Sequence, residues 1–409
     1  MVKNPNGALY YTILSHEEKL KQNIAQDPVV HYVDTLLYQA ISMHASDIHL
    51  QPEEDAARVR IRVDGVLYDH NPILLQMYAA VVSRIKILSS LDIAIARLPQ
   101  DGKLTLHKDE NIIDLRISTF PSLYGEKMVI RILDRSHNML SLEALGFTDT
   151  MLKQMHTVTQ QSHGFFLTTG PTGSGKTTTL YALLSLLNKS AINIVTMEDP
   201  IEYDLPGITQ SQVNERAGFT FDIGLRSLLR QDPDIIMIGE IRDKLTVQIA
   251  IESALTGHLV LSTLHTNDAT GAITRLLDMG IEPFLINATL TGVLAQRLAR
   301  ILCPACKKAV TLTEDEQKQF ASYGISLTTV FQATGCHECF DLGYKGRMSI
   351  FELLLIDDSL RKLISQKASC EKIREQALMS GLLPLMYDGL YKVKAGLISL
   401  EELLSVVTH

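Results

Sequence analysis

Residues 164–177, GFFLTTGPTGSGKT, restrict the fold of this chain more than any other stretch. A short apolar run that reads as a buried strand leads directly into G-x-x-x-x-G-K-T, and from Lys176 onward the apolar spacing becomes helical. Strand, glycine-rich turn and helix in that order make a phosphate cradle. The glycines let successive main-chain N–H groups turn inward, and the helix adds the positive end of its dipole. Gly170, Pro171, Thr172, Gly173, Ser174, Gly175, Lys176, Thr177 and Thr178 are therefore the candidate nucleotide-binding residues. Lys176 is expected to reach the β- and γ-phosphates of ATP, and the Thr177 hydroxyl to ligate Mg²⁺.

The flanking sequence alternates strand and helix as a parallel α/β sheet demands, with INIVTMED, DIIMIGEI and HLVLSTLH as further short buried strands. Ligands collect at the carboxyl ends of such strands, and chemistry-bearing residues stand there. Glu240 closes DIIMIGE and suits the Mg²⁺ shell. Glu198, followed by Asp199, closes INIVTME and is the candidate general base, with Glu202 the second choice. His265 follows HLVLSTL and is placed to hydrogen-bond the γ-phosphate and report its loss; His258, before that strand, reads equally as a structural histidine. Arg226 and Arg230, four apart in LRSLLRQDPD, fall on one helix face, placed to neutralise charge on a transferring phosphoryl group or to form a surface salt bridge.

With 409 residues, 46% hydrophobic and 21% charged, the chain is long enough for two or three cores and too apolar for disorder. Apolar spacing is helical from Val29 to Met43, then SDIHLQP and ARVRIRVDGVLYDH alternate with period two, with Asp64-Gly65 as a hairpin signal. A helix over Leu75–Leu88 and strands at Ile112–Ile117 and Lys127–Leu133 complete a small α+β domain, residues 29–140, behind a flexible arm at 1–28. A linker is expected around Ser136–Leu145, an α/β core over 141–300, a tetracysteine subdomain over 301–345 and a helical C-terminal region over 346–409. The formal charge of −8 gives no positive field to draw nucleic acid or anionic lipid. No run approaches the roughly 18 apolar residues of a membrane span, and the opening lacks a charged segment followed by an apolar one. A cytosolic protein is expected.

Four of the five cysteines form two C-x-x-C pairs, Cys303/Cys306 and Cys336/Cys339. In a reducing compartment that spacing indicates a metal rather than disulfides, and four thiolates with no open ligand position indicate structural Zn²⁺. Cys370, alone in a helical pattern, reads as packing.

Together these phrases resemble the secretion ATPase family of type II secretion and type IV pilus assembly, nearly collinearly from Asp47 to the C-terminus. GPTGSGKTTTLY resembles its Walker A, MEDPIEY its Asp box, RQDPDIIMIGEIRD its Walker B and TGHLVLSTLHTNDA its His box. ASDIHLQP, RVDGVL, RLPQDGK, RISTFPSLYGEKMVIRIL, AQRLARILCPAC, GYKGR and PLMYDGLYKVKAGLISLEEL are further family-like phrases. The resemblance implies a small PAS-like α+β domain joined by a mobile linker to a RecA-like P-loop ATPase core, assembled as a homo-hexamer. It implies ATP between the two domains, with Arg116 and Arg131 as arginine fingers. It implies a cytoplasmic motor, peripheral to the inner membrane and held through platform proteins, that drives pseudopilus or pilus assembly.

RLLDMGIEPFLINATLTGVLAQRLAR looks more like the type II secretion branch, and the tetracysteine loop resembles assembly and secretion motors rather than retraction motors. Full-length members carry a further amino-terminal domain that docks on the platform; a short arm stands there, so docking by that route is not expected. TFDIGLRS lacks the usual Ala-Arg, and Leu245 stands where Glu is usual, but neither is a predicted phosphate contact. The alternative reading is a nucleic-acid translocase or DNA-uptake motor with the same core. The acidic charge and the lack of Lys/Arg clusters interleaved with aromatics disfavour it. A nucleotide sensor without catalysis is disfavoured by Lys176, Glu198 and Glu240.

Overall fold

The computed structural model describes residues 2–3, 9–12, 27–108, 111–134 and 141–407, and the chain divides into two units, Met1–Asn138 and Met139–His409. The expected linker lies outside the described residues as far as residue 140, as does most of the arm at 1–28.

In the first unit, strands β1 (Val2–Lys3), β2 (Leu9–Thr12), β3 (Ala45–Pro52), β4 (Ala56–Val63), β5 (Val66–Leu74), β6 (Gln100–Lys108), β7 (Asn111–Ser122) and β8 (Gly125–Asp134) form an 8-stranded sheet. Its order is β1-β2-β6-β7-β8-β3-β4-β5. Part of the arm is thus strand: Leu9–Thr12, a run of good strand formers, lies parallel to β6, whereas the other pairs are antiparallel. The period-two pattern survives intact in β4, where Ala57, Val59, Ile61 and Val63 are buried and Arg58, Arg60 and Arg62 take the other face. Asp64 and Gly65 have φ of 49° and 89°, the double left-handed turn that joins Val63 to its partner Val66. Helices Pro28–Ser42 and Leu75–Leu88 pack on each other and on this sheet. Asp27 starts the first by accepting from Val29 N at 2.8 Å, ahead of Pro28 in the first turn.

The second unit holds β9 (Gly164–Thr169), β10 (Ile194–Glu198), β11 (Thr209–Gln212), β12 (Ile235–Ile238), β13 (Leu259–Leu264), β14 (Leu290–Leu302), β15 (Lys308–Thr311), β16 (Thr329–Gln332) and β17 (Tyr344–Leu355). Seven form one sheet in the order β11-β10-β12-β13-β9-β14-β17, parallel except for the β14/β17 pair; β15 and β16 make a separate ribbon. Every residue of β9, β10, β12 and β13 is buried, which is why these strands read as unbroken apolar runs. Phe165 and Leu167 pack into the core on one face of the sheet, and Phe166 into the other with Leu180 and Leu184 of helix Lys176–Leu187.

Residues 346–355, read from the sequence as helical, belong instead to β17, which pairs antiparallel with β14 from Gly292↔Leu355 to Leu302↔Tyr344. Its apolar run SIFELLL is buried on both faces and so carries no period to separate strand from helix. The remaining C-terminal elements are helices, Asp358–Ser365, Cys370–Met379, Leu385–Lys394 and Leu400–Val407. The last two share a third core with Leu312, Phe320 and Val330 of the segment between the cysteine pairs.

Candidate functional site

The carboxyl ends of four neighbouring strands, β10, β12, β13 and β9, bring the site together. After β9 the chain turns through Gly170, Gly173 and Gly175, with φ of 149°, 79° and 88°. A Cβ on Gly170 would lie 2.4 Å from Gln296 O and 2.7 Å from Ser174 Oγ, and one on Gly175 would lie 2.7 Å from Gln296 Nε2. Glycine is the residue that fits at both. Lys176 is 8% exposed, and its Nζ donates to Gly170 O at 2.8 Å and Pro171 O at 3.0 Å. Burial brings this ammonium down to about 8, against the attraction of Glu240 and with the repulsion of Arg297. Ser174 Oγ is buried without a hydrogen-bond partner among the described residues. Thr177 and Thr178, partly exposed, open the helix. A buried cation, a free hydroxyl and inward-turned glycines at a helix start fit a polyphosphate.

Glu240, just beyond β12, contacts Arg242, and its Oε2 lies 3.6 Å from His265 Nε2. The structure therefore gathers Lys176, Glu240 and His265. His258 stands before β13, at the opposite edge of the sheet, and its Nδ1 is held by Ser253 O at 2.8 Å and Thr256 Oγ1 at 3.1 Å. Those contacts hold it at the end of the sheet away from the glycine loop.

The structure gives Glu198 and the Arg226/Arg230 pair partners that their spacing does not disclose. Glu198 is 2% exposed and accepts from Tyr181 Oη, from Thr196 Oγ1 at 2.7 Å and from Gln210 Nε2 at 3.1 Å. Alternation along β10 puts it with Ile194 and Thr196 against the helix that follows the glycine loop, so both oxygens are engaged away from solvent. Asp199 and Glu202, next in the phrase, are exposed. Arg226 and Arg230 do not share a helix face, because helix Phe221–Leu228 ends before Arg230, ahead of a left-handed Asp232 (φ 51°) and Pro233. Arg226 pairs with Asp222 at 2.9 Å, and Arg230 donates to Arg226 O at 2.8 Å and Ser227 Oγ at 3.1 Å.

In the first unit, Arg116 and Arg131 face each other across β7 and β8. With Lys103, Asp101 and Ser118 they line a cavity of about 430 Å³, and Arg131 Nε reaches Asp47 Oδ1 at 3.1 Å.

Sequence reasoning passed over Gln296 and Arg297. Both are buried, at 1% and 6% exposure, where β14 runs beyond the end of β9. Gln296 accepts from Thr179 Oγ1 at 2.8 Å and so ties this strand to the helix after the loop. The available signal was a polar Gln-Arg pair inside an otherwise apolar strand run.

The four thiols of Cys303, Cys306, Cys336 and Cys339 converge within 4.8 Å of one another. Main-chain N–H groups of Gly335 and Gly343 donate to Cys306 Sγ at 3.4 Å and Cys339 Sγ at 3.2 Å. Against the upward push of burial, the Thr334 hydroxyl and the Gly335 amide bring the Cys306 thiol down to about 7. Convergent sulfurs with amide donors fit a tetrahedral Zn²⁺.

A glycine cradle with a buried lysine, at the carboxyl edge of a largely parallel sheet with an acid and a histidine beside it, defines a P-loop nucleotide-binding α/β protein. The family described as "Type II/IV secretion system protein" matches residues 22–405. The type II secretion system ATPase E of Vibrio cholerae serotype O1 is 47% identical over 96% of this chain and 78% of its own length. The type IV pilus assembly ATPase PilB of Myxococcus xanthus is 47% identical over 92% of this chain and 67% of its own. Two solved structures share the fold. The pilus retraction motor PilT with bound ADP has a TM-score of 0.60 at 24% identity, covering 93% of this chain and 97% of its own. The Legionella pneumophila ATPase DotB has a TM-score of 0.67 at 19% identity, covering 96% and 98%. The chain belongs to the type II/IV secretion system protein family.

Proposed function

We propose that this chain hydrolyses ATP to power pseudopilus assembly in type II secretion. The observation that carries the proposal is the meeting of Lys176, Glu240 and His265 at the mouth of a cradle built for phosphate. The names of the relatives support the machine it serves, the phrase RLLDMGIEPFLINATLTGVLAQRLAR favours this branch over pilus assembly, and the tetracysteine cluster favours an assembly or secretion motor over a retraction motor. Lys176 and the amides of residues 170–177 grip the β- and γ-phosphates. Thr177 and Glu240 would hold Mg²⁺, which supplies charge neutralisation on the phosphate oxygens. His265 hydrogen-bonds the γ-phosphate and, through Glu240, registers its departure.

The base role passes from Glu198 to Glu202, an exposed carboxylate of the same phrase, while Glu198 anchors helix Lys176–Leu187 to β10 through Tyr181. Arg226 and Arg230, or Arg116 and Arg131 as arginine fingers, complete charge neutralisation in a homo-hexamer. That ring is cytoplasmic and bound to the inner membrane through platform proteins, with Zn²⁺ a structural ion. The test is recovery of secretion in cells lacking their own motor of this family. The parent chain restores it and Glu240→Gln does not; restoration by Glu240→Gln contradicts the proposal.

A further inference from the structure

Arg297 is a buried cation beside Lys176 to which the hydrolysis proposed above gives no task. It lies on β14, two residues past the Ala295↔Thr169 pairing that ends the β9 ladder, so it stands level with the glycine loop. Its Nη1 donates to Gln296 O at 3.2 Å, the carbonyl against which Gly170 is packed. Its Nη2 donates to Asn267 O at 2.8 Å, two residues beyond His265. One planar guanidinium therefore spans the strand that backs the phosphate cradle and the loop that bears the histidine. Guanidinium is suited to this, since its donors diverge in a fixed fork and it stays charged at any physiological pH.

The loop itself is short and otherwise held by hydroxyls and ion pairs. Thr266 N and Oγ1 bond Thr169 Oγ1 at 2.9 and 2.8 Å, at the very end of β9. On its far side Asp268 caps helix Ala269–Asp278 through Gly271 N at 2.7 Å and pairs with Arg374 at 3.1 Å. Ala269 N donates to the buried Glu352 carboxylate at 2.9 Å. Arg297 is the member of this set that ties the loop to the strand beside the cradle.

We infer that Arg297 is a positioning residue for hydrolysis: by bridging Gln296 O and Asn267 O it fixes the His265–Asp268 loop against the phosphate cradle. The inference rests on the ATPase reading above. Because Lys176 and the loop amides do not depend on this bridge, its loss falls on turnover rather than on nucleotide affinity. The substitution Arg297→Lys keeps the charge yet offers one flexible ammonium for two carbonyls.

The experiment compares the parent chain with Arg297→Met and Arg297→Lys, measuring kcat and KM for ATP and amide hydrogen exchange across residues 265–269. Arg297→Met is expected to lower kcat roughly tenfold or more, with KM within about threefold, and Arg297→Lys to fall between the two. Exchange at 265–269 is expected to quicken in Arg297→Met while protection of β9 and β13 is kept. Parent-like kcat with unchanged exchange at 265–269, in Arg297→Met or in Arg297→Lys should the Met variant lose protection throughout, overturns the bridge. A parent chain without ATPase activity refutes the functional reading instead, and the exchange data still decide the role of Arg297.

Discussion

Glu198 and Glu202 stand four residues apart in one acidic phrase, and side-chain direction separates their fates. Glu198 points into the sheet–helix interface and is surrounded by Tyr181, Thr196 and Gln210, whereas Glu202 is exposed. Glu198→Gln would turn one buried acceptor into a donor among three donors, a loss of about 1–3 kcal/mol that a thermal melt reads directly. Glu202→Gln is expected to melt like the parent, bind ATP and lower turnover about 10²-fold, read by phosphate release. An unchanged melt with abolished turnover in Glu198→Gln would return the base role to Glu198. Gly170→Ala makes a third case at this scale. The added carbon meets Gln296 O at 2.4 Å with φ at 149°, so nucleotide binding should be lost through strain of about 1–3 kcal/mol or more in the cradle. Parent-like ATP affinity in that variant would contradict the tight fit.

At the scale of elements, what the sequence disclosed depends on whether the signal is local. The hairpin at Asp64-Gly65, helix Leu75–Leu88 and the glycine loop each declare themselves within a dozen residues, through turn chemistry or period, and each is where the pattern puts it. The four cysteines were legible for a different reason: thiols in C-x-x-C pairs have few uses besides metal, and the fold duly gathers Cys303, Cys306, Cys336 and Cys339. Long-range pairing was not legible. Nothing local says that β17 returns to the edge of the main sheet beside β14, so its apolar run passed for helix. Burial of Glu198 was hidden likewise, since it depends on Tyr181 and Gln210 from elsewhere in the chain. The cysteine arm allows its own prediction. Zinc should copurify with the chain, and Cys336→Ser should release it and speed hydrogen exchange over 303–343 while ATP affinity stays within about twofold. Exchange there that ignores both metal and cysteine would contradict a structural ion.

For the whole molecule, the acidic balance of −8 gives nucleic acid no field to follow, and among the described residues no helix is long and apolar enough to cross a membrane. Light scattering with a nonhydrolysable ATP analogue is expected to show a species of about six chains, in keeping with a ring that closes on itself. A mass that stays at 45.5 kDa would contradict the ring. The proposed arginine-finger role of Arg131 extends the test: Arg131→Ala is expected to lower turnover with little change in melting. The central claim is that residues 170–177 hold ATP for hydrolysis, and phosphate release from ATP with Mg²⁺ tests it most directly. The parent chain should turn over steadily and Lys176→Ala should lose about 10²-fold or more; equal rates from the two, or none from the parent, would contradict it.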